Sequence, residues 1–524
     1  MAPGTNVLVV TFDALRADRL GAYGYERPTS PRIDDFAHEA VVFERAWSTA
    51  QATPTSFAAA FTGRWPSRVF QGWELVPDVP TVAQTFAAAG YQTRFVSAQV
   101  QLVPVRGFGR GFERYEIMLR TPENDADNDN VVDDEAVLER FVNWLRKEAR
   151  PPFFAWIHFM APHSPYRVRP QSAHLYRAGY TGRFATTTGH TFSIETDDEL
   201  ERVRDLYDGQ VLFADRTFGR LLDTVEEQGL AGSTVVVLST DHGEELMDHG
   251  GVQHSTVFEE VIRIPLMIRH PTTRRAQRSH LPVSNVDLFP TLVEMAGLEP
   301  PAGLDGDSLL GPLDENRLRL AIAMTHRTDH FVAAARGNEK VIVDCRQATG
   351  ALYDLAADPG EHDNLVDRRR RRYHELIGEV TERLGSSPCR AVKQAIGGRA
   401  EDAGLDEETR EGLIALGYLG GGNRAASPRE SGEGLWAEPD PILACEGLMI
   451  GRTLLSWRFK DATGPLEIRV GAPDGNLLGS VPTVGSIATG SWVTDGMEFF
   501  VVSPSLGEVL ASRSVAVTME GCPG

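Results

Sequence analysis

The chain has 524 residues and a formal net charge of −21, with 42% hydrophobic residues. That is ample material for a core and more than one domain. The acidic balance speaks against a general nucleic-acid partner. No apolar stretch is long enough to span a bilayer, so no integral membrane segment is expected. The first strand begins at Asn6 with no secretory leader before it. The sequence as written therefore reads as cytoplasmic, or as exported after removal of a signal.

The first predicted element is the strand Asn6-Val7-Leu8-Val9-Val10-Thr11-Phe12-Asp13, an apolar run ending in a carboxylate. Pro54 to Gly63 reads as a short alanine-rich helix closed by glycine. Proline suits its first position and Thr53 the cap before it. The same place offers Thr53 a second role, because a hydroxyl at a helix N-terminus lies in positive potential. Helices are expected at Thr81–Ala89, Glu135–Lys147 and Thr196–Glu227, and strands at Tyr91–Ser97, Phe153–His158 and Ser233–Thr240. The last strand runs into Asp241-His242-Gly243-Glu244. A strand at Pro265–Arg269 and a helix at Asn285–Ala296 follow. Alternating strands and helices predict a layered α/β domain. Ligands in such sheets bind beyond the carboxyl ends of the strands. Asp13, Asp241 and His242 are thus expected at one edge, where they suit a hard divalent cation.

After about residue 318 shorter strands, such as Val341–Asp344, and a basic helix predict a smaller α+β portion. The arginine run 368–372 reads as a solvated face. Residues 421–438 read as a linker rich in Gly, Ser and charge. Residues 439–524 carry short β-branched and aromatic runs at Leu454–Phe459, Leu466–Val470, Phe499–Val502 and Ser514–Val517. They predict an immunoglobulin-like β-sandwich, read as a glycan- or protein-binding module or as a spacer. Cys445 and Cys522 bracket it and are either one disulfide or two thiols. A disulfide would imply an oxidising compartment. Asp125–Asn130 resembles part of a calcium loop but lacks its glycine and its final glutamate, so the alternative is a solvated acidic turn.

Several motifs, in this order, resemble the sulfatase branch of the alkaline phosphatase superfamily over about residues 5–420. They are Asp13-Ala14-Leu15-Arg16 with Leu20-Gly21-Ala22-Tyr23-Gly24, Thr62-Gly63-Arg64-Trp65-Pro66, and His158-Phe159-Met160-Ala161-Pro162-His163. Asp241-His242-Gly243-Glu244, Val286-Asp287-Leu288-Phe289-Pro290, Asp305-Gly306-Asp307-Ser308-Leu309 and Leu352-Tyr353-Asp354-Leu355 continue the series. The resemblance implies an α/β/α sandwich with the smaller α+β portion, residues 1–420 forming the catalytic domain. It implies a metal site of Asp13, Thr53, Asp241 and His242 around one divalent ion, calcium, manganese or magnesium. It implies Thr53 at the nucleophile position and His163 and His254 as catalytic histidines. Arg16, His158 and His249 are its candidate substrate contacts.

The departures are as informative. Sulfatases of the usual kind carry a cysteine or serine that is oxidised to formylglycine, and Thr53 stands in its place. Oxidised threonine would be a ketone, so no formylglycine is expected. Ala14 replaces the second aspartate of the usual acidic pair. Thr55 and Phe57 stand where proline and arginine normally follow the nucleophile. The set looks like the threonine-nucleophile relatives of the superfamily. The expected activity is hydrolysis of an anionic sulfate or phosphate ester borne by a small molecule, glycan or lipid head group. Two other readings stand beside it: a catalytically decayed binding protein, and a phosphoryl-group transferase.

Overall fold

The computed structural model describes residues 4–396, apart from 72, 120–132, 170–171, 173–176, 178, 190–191, 273–274 and 324–330. It also describes 434–518, apart from 439–441, 444–449, 452–453, 460–465, 474–475, 482, 489–492 and 507. Asp125–Asn130, residues 421–433 of the expected linker, Cys445 and Cys522 lie outside the described residues. The chain forms two compact units, Met1–Leu419 and Gly420–Gly524.

The first unit is organised by an eight-stranded sheet. In chain order its strands are β1 (Asn6–Asp13), β2 (Val41–Trp47), β3 (Gln92–Ser97), β4 (Arg114–Ile117), β5 (Phe153–Pro162), β6 (Thr234–Thr240), β7 (Leu266–Arg269) and β8 (Gln277–Ser284). Their spatial order is β8-β2-β7-β6-β1-β5-β3-β4. Only β7 runs against its neighbours, pairing antiparallel with both β6 and β2. All the other pairings are parallel. The sheet is therefore mixed, with β1, β2, β3, β5 and β6 ending at one edge. The sequence reading placed β1, β3, β5, β6 and β7 and missed β2, β4 and β8. Val41–Trp47 contains Glu44 and Arg45, and Gln277–Ser284 opens on the polar residues Gln277, Arg278, Ser279 and His280, so neither shows an unbroken apolar run.

Every residue of β1, β5 and β6 is buried. Helices cover both faces, which is why these strands read as continuous apolar runs. Successive side chains point to opposite faces, and the two faces hold separate cores. Val7 and Val9 meet Phe154, Trp156, Val235, Val237, Phe57 and Phe61 on one side. Leu8, Val10 and Phe12 meet Ala155, Ile157, Val236, Leu238, Leu206 and Leu221 on the other. The register pairs Val9 with Trp156 and Val237, and Thr11 with His158 and Ser239. Thr11, Asp13, His158, Ser239 and Asp241 thus continue the first face, which the helix α1 (Thr53–Thr62) also covers.

Four antiparallel strands, Arg319–Ile322, Phe331–Arg336, Glu339–Asp344 and Thr349–Asp354, build the smaller sheet. Helices Arg370–Leu384 and Pro388–Ile396 accompany it. A disulfide joins Cys345 to Cys389 across 44 residues. Sequence spacing offered no hint of it, since the bridge spans from a strand end to a helix. Arg370 and Arg371 are exposed, as a solvated face requires. In the second unit a three-stranded and a four-stranded sheet enclose one core of Leu455, Trp457, Leu466, Ile468, Phe499 and Val501.

The long helix α2 (Asp197–Glu227) starts at the cap Thr196, whose hydroxyl accepts from Glu199 N. It buries a carboxyl group, Asp215. One oxygen accepts from Ile33 N at 2.7 Å and the other has no partner. Burial pushes this carboxyl up to about 7. A carboxyl raised in the folded state adds stability that is complete below its unfolded value of about 4 and lost as pH rises through about 7. Asp215→Asn keeps the bond to Ile33 and removes the titration. In urea unfolding the variant should gain on the parent by up to about 4 kcal/mol between pH 4 and pH 8. An equal difference at both pH values would contradict the assignment.

Candidate active site

Asp13 ends β1, and Asp241 and His242 follow β6. The carboxylates are 0% and 2% exposed. Asp241 Oδ1 accepts from His242 N at 2.8 Å and Ala14 N at 3.2 Å. Its Oδ2 has no hydrogen-bond partner. Asp13 shows the same asymmetry: Oδ2 accepts from Gln99 Nε2 at 2.7 Å, and Oδ1 has no partner. Backbone and amide donors thus use one oxygen of each carboxylate and fix its plane. The other oxygens are left buried and bare, which costs several kcal/mol unless a cation meets them.

Two imidazoles complete the cluster. His242 Nδ1 bonds the Gly243 carbonyl at 2.8 Å, which makes Nδ1 the protonated nitrogen. Its Nε2, without a hydrogen-bond partner, lies 3.6 Å from Asp13 Oδ1 and 3.5 Å from Asp241 Oδ2. His158 Nδ1 is 3.0 Å from Thr11 Oγ1, and its Nε2 is 3.7 Å from Asp13 Oδ2. Ligand atoms of Asp13, His158 and Asp241 all lie within 4.8 Å of one another. Four orphaned atoms from two carboxylates and two imidazoles converge, a donor set that fits a divalent cation. Burial raises the Asp13 carboxyl, but His163, His158 and His242 outweigh it and hold it well below the usual carboxylate range.

Thr53 is not the cap of its helix. Ala52 occupies that position with no side-chain bond, and Thr53 is the first helical residue. Proline therefore falls one position further in, where its missing N–H is still no loss. The Thr53 hydroxyl is released from capping and donates to Asp13 Oδ2 at 3.5 Å. The helix start is tied to β6 through Ser56, whose hydroxyl donates to the Asp241 carbonyl at 2.8 Å. Asn285 holds Ser56 Oγ at 2.8 Å and accepts from Thr49 N at 3.0 Å. Phe57 packs its ring on His158, 4.8 Å between centroids, and on Trp156. Ala14 adopts φ +63°, a backbone state that costs an alanine about 1 kcal/mol or more. It turns the chain so that Ala14 N meets Asp241, while its carbonyl accepts from Tyr207 Oη at 2.6 Å.

His163 and His254 stand beside this cluster. The His254 ring is 4.3 Å from that of His242 and 5.3 Å from that of His163. The expected residues Asp13, Thr53, His158, His163, Asp241, His242 and His254 are therefore neighbours. His158, expected to touch substrate, has its ring among the carboxylates with no exposure. Arg16 and His249 are placed elsewhere. Both line a polar cleft of about 370 Å³ together with Asp248, Glu260 and His362. Arg16 is bound to Asp18 and Asp248, each at 2.7 Å. His249 stacks on Phe258 and bonds Glu260 at 2.6 Å. Burial lowers and Glu260 more than restores its basicity, so its pKa ends up raised. The sequence reading overlooked Gln99, which continues the face of Phe95 and Ser97 beyond the end of β3.

The sulfatase family model matches residues 5–298. The chain belongs to the sulfatase family. A second family model, N-sulphoglucosamine sulphohydrolase, C-terminal, matches residues 247–388. The chain is 26% identical over 419 residues to the ulvan-active sulfatase of Formosa agariphila, covering 72% of this chain and 80% of that one. It is 26% identical over 431 residues to arylsulfatase A of Bos taurus, covering 69% and 83%. The phosphonate monoester hydrolase of Agrobacterium radiobacter superposes with a TM-score of 0.61 at 19% identity, covering 74% of this chain and 95% of that one. This sulfatase-family chain is an ester hydrolase of mixed α/β fold. No helix among its described residues is long and apolar enough to cross a membrane.

Cation binding is directly measurable, because a ligand that binds only the folded state raises the unfolding temperature. Calcium, magnesium or manganese at about 100 times its Kd should stabilise the protein by about 2.7 kcal/mol. Asp241→Ala should abolish that response. A thermal shift that survives the substitution would place the cation elsewhere.

Proposed function

We propose that this sulfatase-family protein hydrolyses singly charged sulfate or phosphorus esters through Thr53, beside one divalent cation. The observation that carries the reading is the Thr53 hydroxyl on Asp13 Oδ2 at 3.5 Å, on the carboxylate whose other oxygen is among the orphaned buried atoms. Asp13, His158, Asp241 and His242 would hold the cation. It supplies positive charge that favours the Thr53 alkoxide and neutralises the non-bridging oxygens of the ester.

The Thr53 oxygen gives its proton toward Asp13 and forms a bond to sulfur or phosphorus. The bond from that atom to the leaving oxygen breaks, and His163 or His254 supplies the proton the leaving oxygen needs. Water then adds to the same central atom, giving a proton back to the histidine that protonated the leaving oxygen, and the bond to Thr53 breaks as Thr53 recovers its proton from Asp13. A secondary alcohol cannot become an aldehyde, so the reaction proceeds without formylglycine.

Charge supports the restriction to singly charged esters. Two carboxylates cancel a divalent cation, and Gln99 and Phe57 are neutral. Among the described residues the basic groups beside the cluster are histidines, with no lysine or arginine placed there, which disfavours a doubly charged phosphate monoester. Relatives named for sulfated glycans, such as the ulvan-active sulfatase, favour a sulfated glycan as substrate. The threonine ester has no geminal diol to expel the product and must be displaced by water. That chemistry, with the fold's likeness to a phosphonate monoester hydrolase, supports the phosphorus ester as the second reading. The Cys345–Cys389 bridge favours an oxidising compartment, hence export.

Turnover of 4-nitrophenyl sulfate and of 4-nitrophenyl phenylphosphonate, each with and without added cation, separates the two esters. Thr53→Ala should lower kcat by at least about 10³-fold while leaving the cation-induced thermal shift intact. An active Thr53→Ala protein would rule out covalent catalysis at this residue, and no turnover of either ester would favour a binding protein.

A further inference from the structure

Glu244 is two residues beyond a candidate cation ligand and has no exposure at all. A buried carboxylate persists only where its oxygens are partnered. Both of these are. Oε2 accepts from the Tyr166 hydroxyl at 2.7 Å, and Oε1 lies 3.1 Å from His254 Nδ1. The three side chains come from three segments. Tyr166 follows His163 by three positions, Glu244 follows Asp241 and His242, and His254 lies beyond the small hairpin of Glu245–Leu246 and Val252–Gln253.

The backbone of Glu244 is equally constrained. Its N–H donates to the Glu260 carbonyl at 3.0 Å, and its own carbonyl accepts from Arg16 Nη1 at 3.0 Å. Arg16, set by Asp18 and Asp248, thus acts on the site from behind. Tyr166 is itself fixed, its N–H donating to Thr188 Oγ1 at 3.0 Å and its ring edge-on to Tyr207. The result is a rigid carboxylate aimed at one nitrogen of a single imidazole. That imidazole is the one whose ring lies 4.3 Å from His242 and 5.3 Å from His163.

We propose that Glu244, braced by Tyr166, is the positioning residue of His254. It holds the Nδ1 hydrogen of the neutral ring and so presents Nε2 to the ester, where the ring, once protonated, gives up the proton that the leaving oxygen takes. This rests on the hydrolase reading for its kinetic meaning, though not for the contact itself.

A double-mutant cycle tests the coupling. Glu244→Ala and His254→Ala should each lower kcat on 4-nitrophenyl sulfate or phenylphosphonate by on the order of 10- to 100-fold, the range for losing a partner that orients a site histidine. KM should change far less. In the His254→Ala background Glu244→Ala should cost nothing further, and Glu244→Gln, which still offers an amide oxygen, should recover most of the loss. An undiminished effect of Glu244→Ala without His254 would overturn the proposal. If Glu244→Ala does not fold, Glu244→Gln carries the cycle with a smaller expected loss. A second readout needs no turnover. Nitrogen-15 spectra of the histidine rings should show His254 protonated at Nδ1 in the parent and without that preference in the Glu244 variants. An unchanged tautomer would overturn the proposal even in a protein that hydrolyses nothing, whereas failure of turnover with the tautomer shift intact would fault only the hydrolase reading.

Discussion

Two buried carboxylates with one bare oxygen each are the constraint around which this molecule is arranged. Asp13 and Asp241 are buried where the strands end, so they are tolerable there only with a positive partner. The fold spends backbone N–H groups on one oxygen of Asp241 and the Gln99 amide on one oxygen of Asp13. Such bonds could have neutralised both oxygens and did not. What remains is a directional demand for a cation, written into the edge of the sheet before any ligand arrives.

The demand is concentrated by the period of two. Val7, Val9, Thr11 and Asp13 share a face, as do Phe154, Trp156 and His158, and Val235, Val237, Ser239 and Asp241. Phe95, Ser97 and then Gln99 lie on it too. Along each strand the lower residues are apolar and the uppermost are polar. One face therefore changes from core to site over two residues. Helix α1 covers that face with Phe57 and Phe61 and brings its first residue, Thr53, to the boundary. The same packing that stabilises the sheet thus positions the hydroxyl.

Much of this was legible in the sequence where a long apolar run ends in a polar residue. Asp13 and Asp241 stand out for that reason, and so does the sheet they terminate. His158 and Gln99 were legible in principle, by counting alternate residues from Trp156 and Phe95, but the parity has meaning only once the strands are in register. Arg16, a candidate substrate contact, lines a cleft and is held there in an ion pair. Its partner Asp248 is 232 residues away, and no local pattern announces that pairing. His249 lines the same cleft, bonded to Glu260 and stacked on Phe258, which local sequence does not announce either. The boundary at Thr53 was off by one residue. Cap preference favours threonine, yet a cap would have turned its hydroxyl onto the helix, and the contact with Asp13 prevails. The Cys345–Cys389 bridge depended wholly on tertiary placement.

Rigidity is unequal across the site, and the inequality has a chemical logic. Asp13, His158 and Asp241 are set by strands with no exposure to speak of. His254 comes from a loop beyond a two-strand hairpin and is the more exposed of the group, at 17% of its side chain. The hairpin region also carries Met247 and Gln253 at φ +67° and +72°, conformations that non-glycine residues rarely adopt. A segment of this kind has no sheet to orient its histidine. Glu244 supplies that orientation from the rigid side of the site, because it directly follows the turn that β6 fixes. The parts that bind charge are thus built on the sheet, and the part that meets the variable end of an ester is borne on a loop and referenced back to the sheet by one carboxylate.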